Sequence, residues 1–567
     1  MSTALPPLDD SLAGGVAPTR RRFYVRLSAA TTAVLLSIAW TLPGLVGHEP
    51  WKPDEAAAVG IVRNLVTGNG NWVVPRLAGE AALDTPPLLY LVAGGFAKLF
   101  SWLLPLHDAA RLASGAFMAL TLWFTALTAR ELYGRDYAGI AAIGLLGCVG
   151  WIVRAHQLIP DVPLLTGISL GLYGLAVAPR RSLLGGAALG TGIGVGFLAR
   201  GLIAPTILVA VALIQVVVSR RWRQPGLLAT FAVACVTAAP WLVVWPLALY
   251  RESPELLQQW LTQDLIGALL LTGSVQPTFA WHQYLVLLPW FAWPVLPLAI
   301  WTVWHGRRGM LKRPDLHLPL IAVVVMFVLL GLATKAGDVY ALPLLLPLTL
   351  LAVASLDTLR RGAISALDWF GIMTFGLVAI VLWIAWIALL TGWPSGIARE
   401  LAAFQPGFEA RFRWLPFLIA AAGTFLWAAL VARTMPTTRR ALVNWGGGIT
   451  LMWILASTLW LPYVDAGKSY KGLVRELDRA LPKGGRCISS IGLGESQRAM
   501  LEYYAGIVTQ REEIGRPKRE CDLLLTQGTA TQEHAIGAGW KKIWEGARPG
   551  DSRERFRLYK RTPSKKT

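Results

Sequence analysis

Carboxylates and cations stand out in this chain because most of what surrounds them is apolar. Asp54 and Glu55 follow Pro53 in WKPDEAAAVGIV, Asp84 precedes a Thr-Pro-Pro-Leu run, and Asp161 lies between Pro160 and Pro163 in RAHQLIPDVPLL, shortly after His156. A proline beside an acidic residue favours a helix start, where the dipole welcomes a carboxylate. Each is therefore a cap when taken alone, and a base or ligand only in company. The cations come later: Arg200 in GFLARGLIAP, Arg251 after Tyr250, and Lys335 with Tyr340 in ATKAGDVYALPLLLPL. Such a set combines potential bases with potential anion-binding groups. A carboxylate can take a proton from an acceptor hydroxyl, and cations can neutralise a phosphate that departs.

The elements that must position these groups are membrane helices. Of 567 residues 54% are hydrophobic and 15% charged, and apolar runs recur at roughly the 20-residue length that a ~30 Å hydrocarbon layer demands. The formal charge of +20 would fit nucleic acid if it were massed on one soluble surface. Instead the basic residues form short clusters between apolar runs: Arg20 to Arg22, Arg130 with Arg135, Arg180 with Arg181, Arg220 to Arg223, Arg307 to Arg313, Arg360 with Arg361, and Arg433 to Arg440. Placed on the cytoplasmic side, they predict about thirteen spanning helices.

This threading gives a disordered cytoplasmic segment at 1–26, a transmembrane domain at 27–462 and an outward domain at 463–567. No small-residue cleavage site follows the first apolar stretch, which reads as a retained helix. Residues 87–104 would break the alternation if they crossed. They read as an interfacial or re-entrant helix within a long first outward loop, 47–110, with Lys98 snorkelling. Asp54, Glu55, Asp84, His156, Asp161, Arg200, the loop 250–283 and the stretch from Lys335 to Tyr340 then share the outward side. Charges at membrane depth are costly and mark a site or a cavity.

The polar tail predicts a small α/β domain, with helices at 471–481 and 495–505 and strands at 486–493 and 521–528. Cys487 and Cys521 begin the two strands, so parallel neighbours would bring them within bridging reach. Cys148 and Cys235 sit in apolar runs and read as packing residues. After Arg553 the basic tail reads either as a head-group contact or as a solvated terminus.

The motifs come in an order that resembles the GT-C class of integral-membrane glycosyltransferases, in particular the group holding the protein O-mannosyltransferases and the lipid A aminoarabinose transferase. That group has an acidic pair after the first helix, matched by Asp54-Glu55, and a stretch matched by Gly70-Asn71-Trp72, Pro75-Arg76-Leu77 and Asp84-Thr85-Pro86-Pro87-Leu88. An Asp follows the third helix, matched by Asp161. Arg200 stands where the family has Lys, Pro240-Trp241 and Tyr250 to Pro254 match a further segment, and Lys335, Tyr340, Leu342, Pro343 and Pro347 match the last. One departure is Thr85, where the family often has Lys, so that phosphate contact must come from elsewhere.

The resemblance implies an all-α polytopic membrane bundle of GT-C type with a small C-terminal α/β periplasmic domain, in a bacterial inner membrane. It implies transfer of a sugar from a polyprenyl-phosphate donor to lipid A, another glycolipid, a polysaccharide or a protein, with inversion and without nucleic acid. Asp54 is the expected general base, and by the same resemblance Glu55 and Asp161 would orient the acceptor or hold a divalent ion. A divalent metal ion held by Asp54 and Asp161 is compatible with that chemistry. Arg200, Lys335, Tyr340 and Arg251 would bind the donor phosphate, and Asp84 and His156 would position the acceptor. A transporter or flippase of lipid-linked sugars is the rival reading, and it predicts inverted repeats and broken helices.

Overall fold

Apolar runs bounded by prolines, glycines and arginines fold as helices throughout the first four fifths of the chain. The computed structural model describes residues 28–562 apart from 266–280, 310–311, 332–336, 435–436, 483–486, 515–520, 530, 532–535, 538 and 552. Five described helices are long and apolar enough to cross a membrane: Leu106–Tyr133, Ser182–Arg200, Gly226–Glu252, Arg361–Thr391 and Trp414–Arg433. Three further pairs qualify together but are bent at a break, by 63°, 103° and 62°. Exposed Leu415, Leu418, Phe425 and Leu426 on Trp414–Arg433 show the apolar outer face that lipid covers. The chain is a multi-pass membrane protein.

The helices that build the site are α1 (Ala29–Thr41), α2 (Asp54–Thr67), α3 (Leu88–Phe100), α4 (Leu106–Tyr133), α5 (Asp161–Val177) and α6 (Ser182–Arg200). A 13-residue helix such as α3 is roughly 20 Å long, short of the ~30 Å layer, and it packs along α4 and α2. The antiparallel pair α5 and α6 meets backbone to backbone along a glycine seam. A Cβ on Gly167 would lie 2.6 Å from the Gly196 nitrogen, and one on Gly174 would lie 2.5 Å from the Leu189 nitrogen. Small residues at this spacing let membrane helices approach closely, and here they bring the start of α5 level with the end of α6.

Between α2 and α3 a two-stranded ribbon, β1 (Arg76–Leu77) and β2 (Glu80–Ala81), turns through Ala78 and Gly79 at positive φ. The tail carries a five-stranded sheet of β3 (Ile488–Ile491), β4 (Gln510–Arg511), β5 (Leu523–Gly528), β6 (Trp540–Gly546) and β7 (Arg555–Arg561), in the order β4-β3-β5-β7-β6. The two predicted strands fall at β3 and β5, which are parallel neighbours. The basic segment after Arg553 is β7, inserted between β5 and β6 with Phe556 and Leu558 buried. Its charges hid an apolar core. Helices Lys471–Ala480 and α7 (Glu495–Ala505) flank the sheet, and α7 lies along α2.

Candidate active site

The acidic pair at the start of α2 divides between two environments. Glu55 is fully buried and accepts hydrogen bonds from the Trp51 amide (3.0 Å), Arg111 Nε (2.7 Å) and the Leu158 amide (3.3 Å). Arg111, on α4, is buried as deeply and also donates to Asp108 at 2.7 Å and to the carbonyls of Leu45 and His48. Burial alone would raise the Glu55 carboxyl, but the Arg111 charge, reinforced by its hydrogen bonds, holds it below the usual carboxylate range. The neighbouring His48 is driven down to about 4 by burial and then by Arg111. This knot ties the end of α1, the start of α2 and α4 together. It leaves Asp54, one residue earlier, exposed.

Asp54 lies within electrostatic reach of both Asp161 and Arg200. Asp161, almost wholly buried at the first position of α5, takes a two-pronged grip on Arg200 at the end of α6. Nε donates to Oδ1 at 3.2 Å and Nη2 to Oδ2 at 2.9 Å. The guanidinium stands 5.7 Å over the Tyr340 ring. Such a clamp fixes the plane of the arginine and leaves its remaining Nη1 edge to meet an anion. The turn that carries Tyr340 is anchored by Asp338, which accepts from Arg154 Nε at 3.0 Å and Nη2 at 2.9 Å.

Tail residues close in on the same loop. Asp84 and Glu495, the first residue of α7, form a carboxyl pair; partial desolvation and the Asp84 charge push Glu495 up. Thr85 hydrogen-bonds Tyr90 at 2.6 Å. The Ser496 hydroxyl donates to the Pro53 carbonyl at 2.8 Å, next to Asp54. Glu502 accepts from Asn64 Nδ2 at 3.0 Å and from the Ala78 amide at 2.9 Å. Lys52 pairs with Glu554 at 2.7 Å.

The other expected site residues are placed as follows. Lys335 and the loop segment 266–280 lie outside the described residues. Arg251 is exposed at the end of Gly226–Glu252 and joins no cluster with Arg200 among the described residues. His156 is buried, with Nδ1 2.7 Å from the Ile152 carbonyl and Nε2 2.9 Å from the Trp40 carbonyl, between the rings of Trp40 and Trp453. It is a packing residue of the helix layer. A disulfide joins Cys487 and Cys521 at the head of β3 and β5. Among the described residues no three potential metal ligands come together, and both Asp161 oxygens are engaged by Arg200. This donor set does not present a metal cage. Sequence reasoning missed Arg111, Arg154 and Glu495. An Arg three residues after Asp108 in an alanine-rich stretch was the available signal for the first.

A family model described as dolichyl-phosphate-mannose-protein mannosyltransferase matches residues 84–245. The undecaprenyl phosphate-alpha-4-amino-4-deoxy-L-arabinose arabinosyl transferase of Pseudomonas aeruginosa strain UCBPP-PA14 is 30% identical over 379 residues, 63% of this chain and 65% of that protein. The Serratia proteamaculans protein of the same description is 26% identical over 420 residues, covering 70% and 73%. The chain spans just under two thirds of the first of these curated relatives, 64% and 65% of their lengths. The crystal structure of ArnT from Cupriavidus metallidurans bound to undecaprenyl phosphate superposes with a TM-score of 0.65 at 18% identity, over 93% of this chain and 97% of that one. The fold is that of the GT-C integral-membrane glycosyltransferases. The GT-C likeness takes in both the helices and the tail, since the match covers nearly all of each chain.

Proposed function

We propose that this chain transfers a sugar from a polyprenyl-phosphate donor to an acceptor oxygen on lipid A or another periplasmic glycolipid, polysaccharide or protein. One observation carries the reading: an exposed carboxylate, Asp54, lies within electrostatic reach of an arginine whose orientation is fixed by a buried partner, Asp161. The arabinosyl transferase activity described for the relatives and the undecaprenyl phosphate bound in the superposed structure support the donor class. In this reading residues 27–462 form the membrane domain with thirteen spans: the five long helices, the three bent pairs and the shorter apolar helices other than α3. Residues 463–567 form a periplasmic α/β domain resting on the first loop, and α3 lies at the interface.

Asp54 takes the proton of the acceptor hydroxyl as its oxygen attacks the anomeric carbon. The bond to the phosphate oxygen breaks, and the phosphate leaves with the electron pair. Nη1 of Arg200 meets the growing charge, Tyr340 supports the guanidinium from below, and the configuration inverts. Asp161 and Glu55 act as positioning residues, the first by aiming Arg200 and the second by fixing the start of α2. Lys335 is assigned to the donor phosphate and Asp84 to the acceptor side with Glu495, while Arg251, apart from Arg200, is left out of the phosphate site.

Purified protein, incubated with polyprenyl-phosphate sugars and a lipid A acceptor, tests this. Asp54→Asn should lower kcat by roughly 10²- to 10⁴-fold with little change in KM. Arg200→Ala should lower kcat and raise KM for the donor, with partial recovery in Arg200→Lys. Sugar translocation that persists in both variants, with transfer never detected, would point instead to the transporter reading, whose broken helices the three bent pairs also satisfy.

A further inference from the structure

Beyond the Glu55–Arg111 knot, α4 borders a groove that the proposed transfer does not use. It measures about 1,110 Å³ and is walled by α1, α3, α4 and the helix Ala138–Leu146. Its lining is largely apolar, with the small residues Gly115, Ala116 and Ala119 along the α4 wall. Two arginines, Arg130 and Arg135, stand at one end. Both are exposed, and among the described residues neither has a side-chain hydrogen bond or an ion pair.

The acids nearby are engaged elsewhere or turned away. Glu131 pairs with Arg180 at 2.6 Å, Asp357 pairs with Arg439 at 2.9 Å, and Asp136 does not line the groove. Along α4, Arg130 is roughly 28 Å from Arg111 at 1.5 Å per residue. The two guanidiniums therefore sit one bilayer thickness from the Asp54 cluster, at the opposite membrane face. An apolar channel that ends in two unpaired cations at a head-group level is complementary to an amphiphile with a phosphodiester head, and basic pockets between membrane helices hold such heads.

We propose that this groove is a binding site for an anionic phospholipid of the leaflet opposite the active site, with its phosphate between Arg130 and Arg135 and its acyl chains laid along α1 and α4. The donor is a poor fit for this end, because its phosphate belongs at Arg200. A phosphocholine head brings its own cation against the arginines. The bound lipid fills the seam between α1 and α4, the two helices that the buried knot joins at the other face.

The full-length protein, purified from mixed vesicles of phosphatidylglycerol and phosphatidylcholine and washed in mild detergent, can be assayed for retained lipid by mass spectrometry. The wild type should retain phosphatidylglycerol over phosphatidylcholine by roughly 30-fold, about 1 kcal/mol per arginine. Arg130→Gln with Arg135→Gln should abolish that preference, and Ala119→Trp should abolish retention with both arginines intact. Arg180→Gln, which removes a paired arginine at the same face, should change nothing. Monodisperse elution and an unchanged melting temperature identify the variants that fold, and Arg130→Lys with Arg135→Lys should keep a reduced preference. Equal retention of the two lipids by the wild type would overturn the proposal, as would full retention by the double glutamine variant. Displacement of phosphatidylglycerol by undecaprenyl phosphate would overturn it too, by giving the groove to the donor's tail.

Discussion

Asp54 and Glu55 are consecutive in the chain, yet one faces solvent and the other is sealed among Arg111, Trp51 and Leu158. Their acidity and their place before a helix were readable from composition. Which of them would be buried was not, because that depends on Arg111, 56 residues away. Asp161, Arg200 and Tyr340 likewise carried the right chemistry in sequence, but the grip of Asp161 on Arg200 is a product of helix register. His48 offers a test at this scale. Burial and Arg111 hold it at about 4, against an ordinary value of 6.5, so between those values the unfolded chain binds a proton that the folded one refuses. Stability should rise with pH across that window and fall as pH drops from about 6.5 toward about 4. Melting curves in detergent should show this slope, and His48→Phe should reduce it, the remainder coming from His107, which burial also holds at about 4. A slope identical in the variant would remove His48 from the account. Glu55, held low, adds its own loss only at more acidic pH.

Helical elements were legible because apolar runs, prolines and arginine clusters mark their limits, and two tail strands, Ile488–Ile491 and Leu523–Gly528, were legible as short runs bounded by glycine. The last two strands were not. Trp540–Gly546 and Arg555–Arg561 carry so many charges that their pairing with each other and with β5 had to supply what periodicity concealed. The contact of α2 with α7 was also invisible, since it joins elements from opposite ends of the chain. It depends on close approach: a Cβ on Gly60 would stand 2.7 Å from the Ala499 Cβ and 3.3 Å from its Cα. Gly60→Val should therefore part the two helices at a cost of about 1–3 kcal/mol. Limited proteolysis should then release the tail earlier than in the wild type, and transfer activity should fall although Asp54 and Arg200 are untouched. A variant with wild-type protease resistance and activity would show that α2 does not need this contact.

At the scale of the whole molecule, Asp54, Asp161 and Arg200 gather at one end of the bundle, and the tail rests on the same end through Glu502 of α7, which meets Asn64 and Ala78, and through Glu554, which meets Lys52. The threading by arginine clusters assigns that end to the periplasm, with Arg135 at the opposite face. Single cysteines replacing Glu80 and Arg135, in a chain whose Cys148 and Cys235 are replaced by Ser, provide the check. A membrane-impermeant maleimide applied to spheroplasts should label position 80 and leave position 135 unmodified until the cells are lysed. Labelling of both from outside would contradict the threading. Timing follows from the same architecture. The hydrogen bond from Ser496 to the carbonyl beside Asp54 joins residues 443 positions apart, so the ribosome reaches the brace for the first loop only after the described membrane helices. A nascent chain with every helix already inserted still has an unsupported entrance to its site. Fragments released early in synthesis would occupy the membrane yet stay silent until a complete tail arrived.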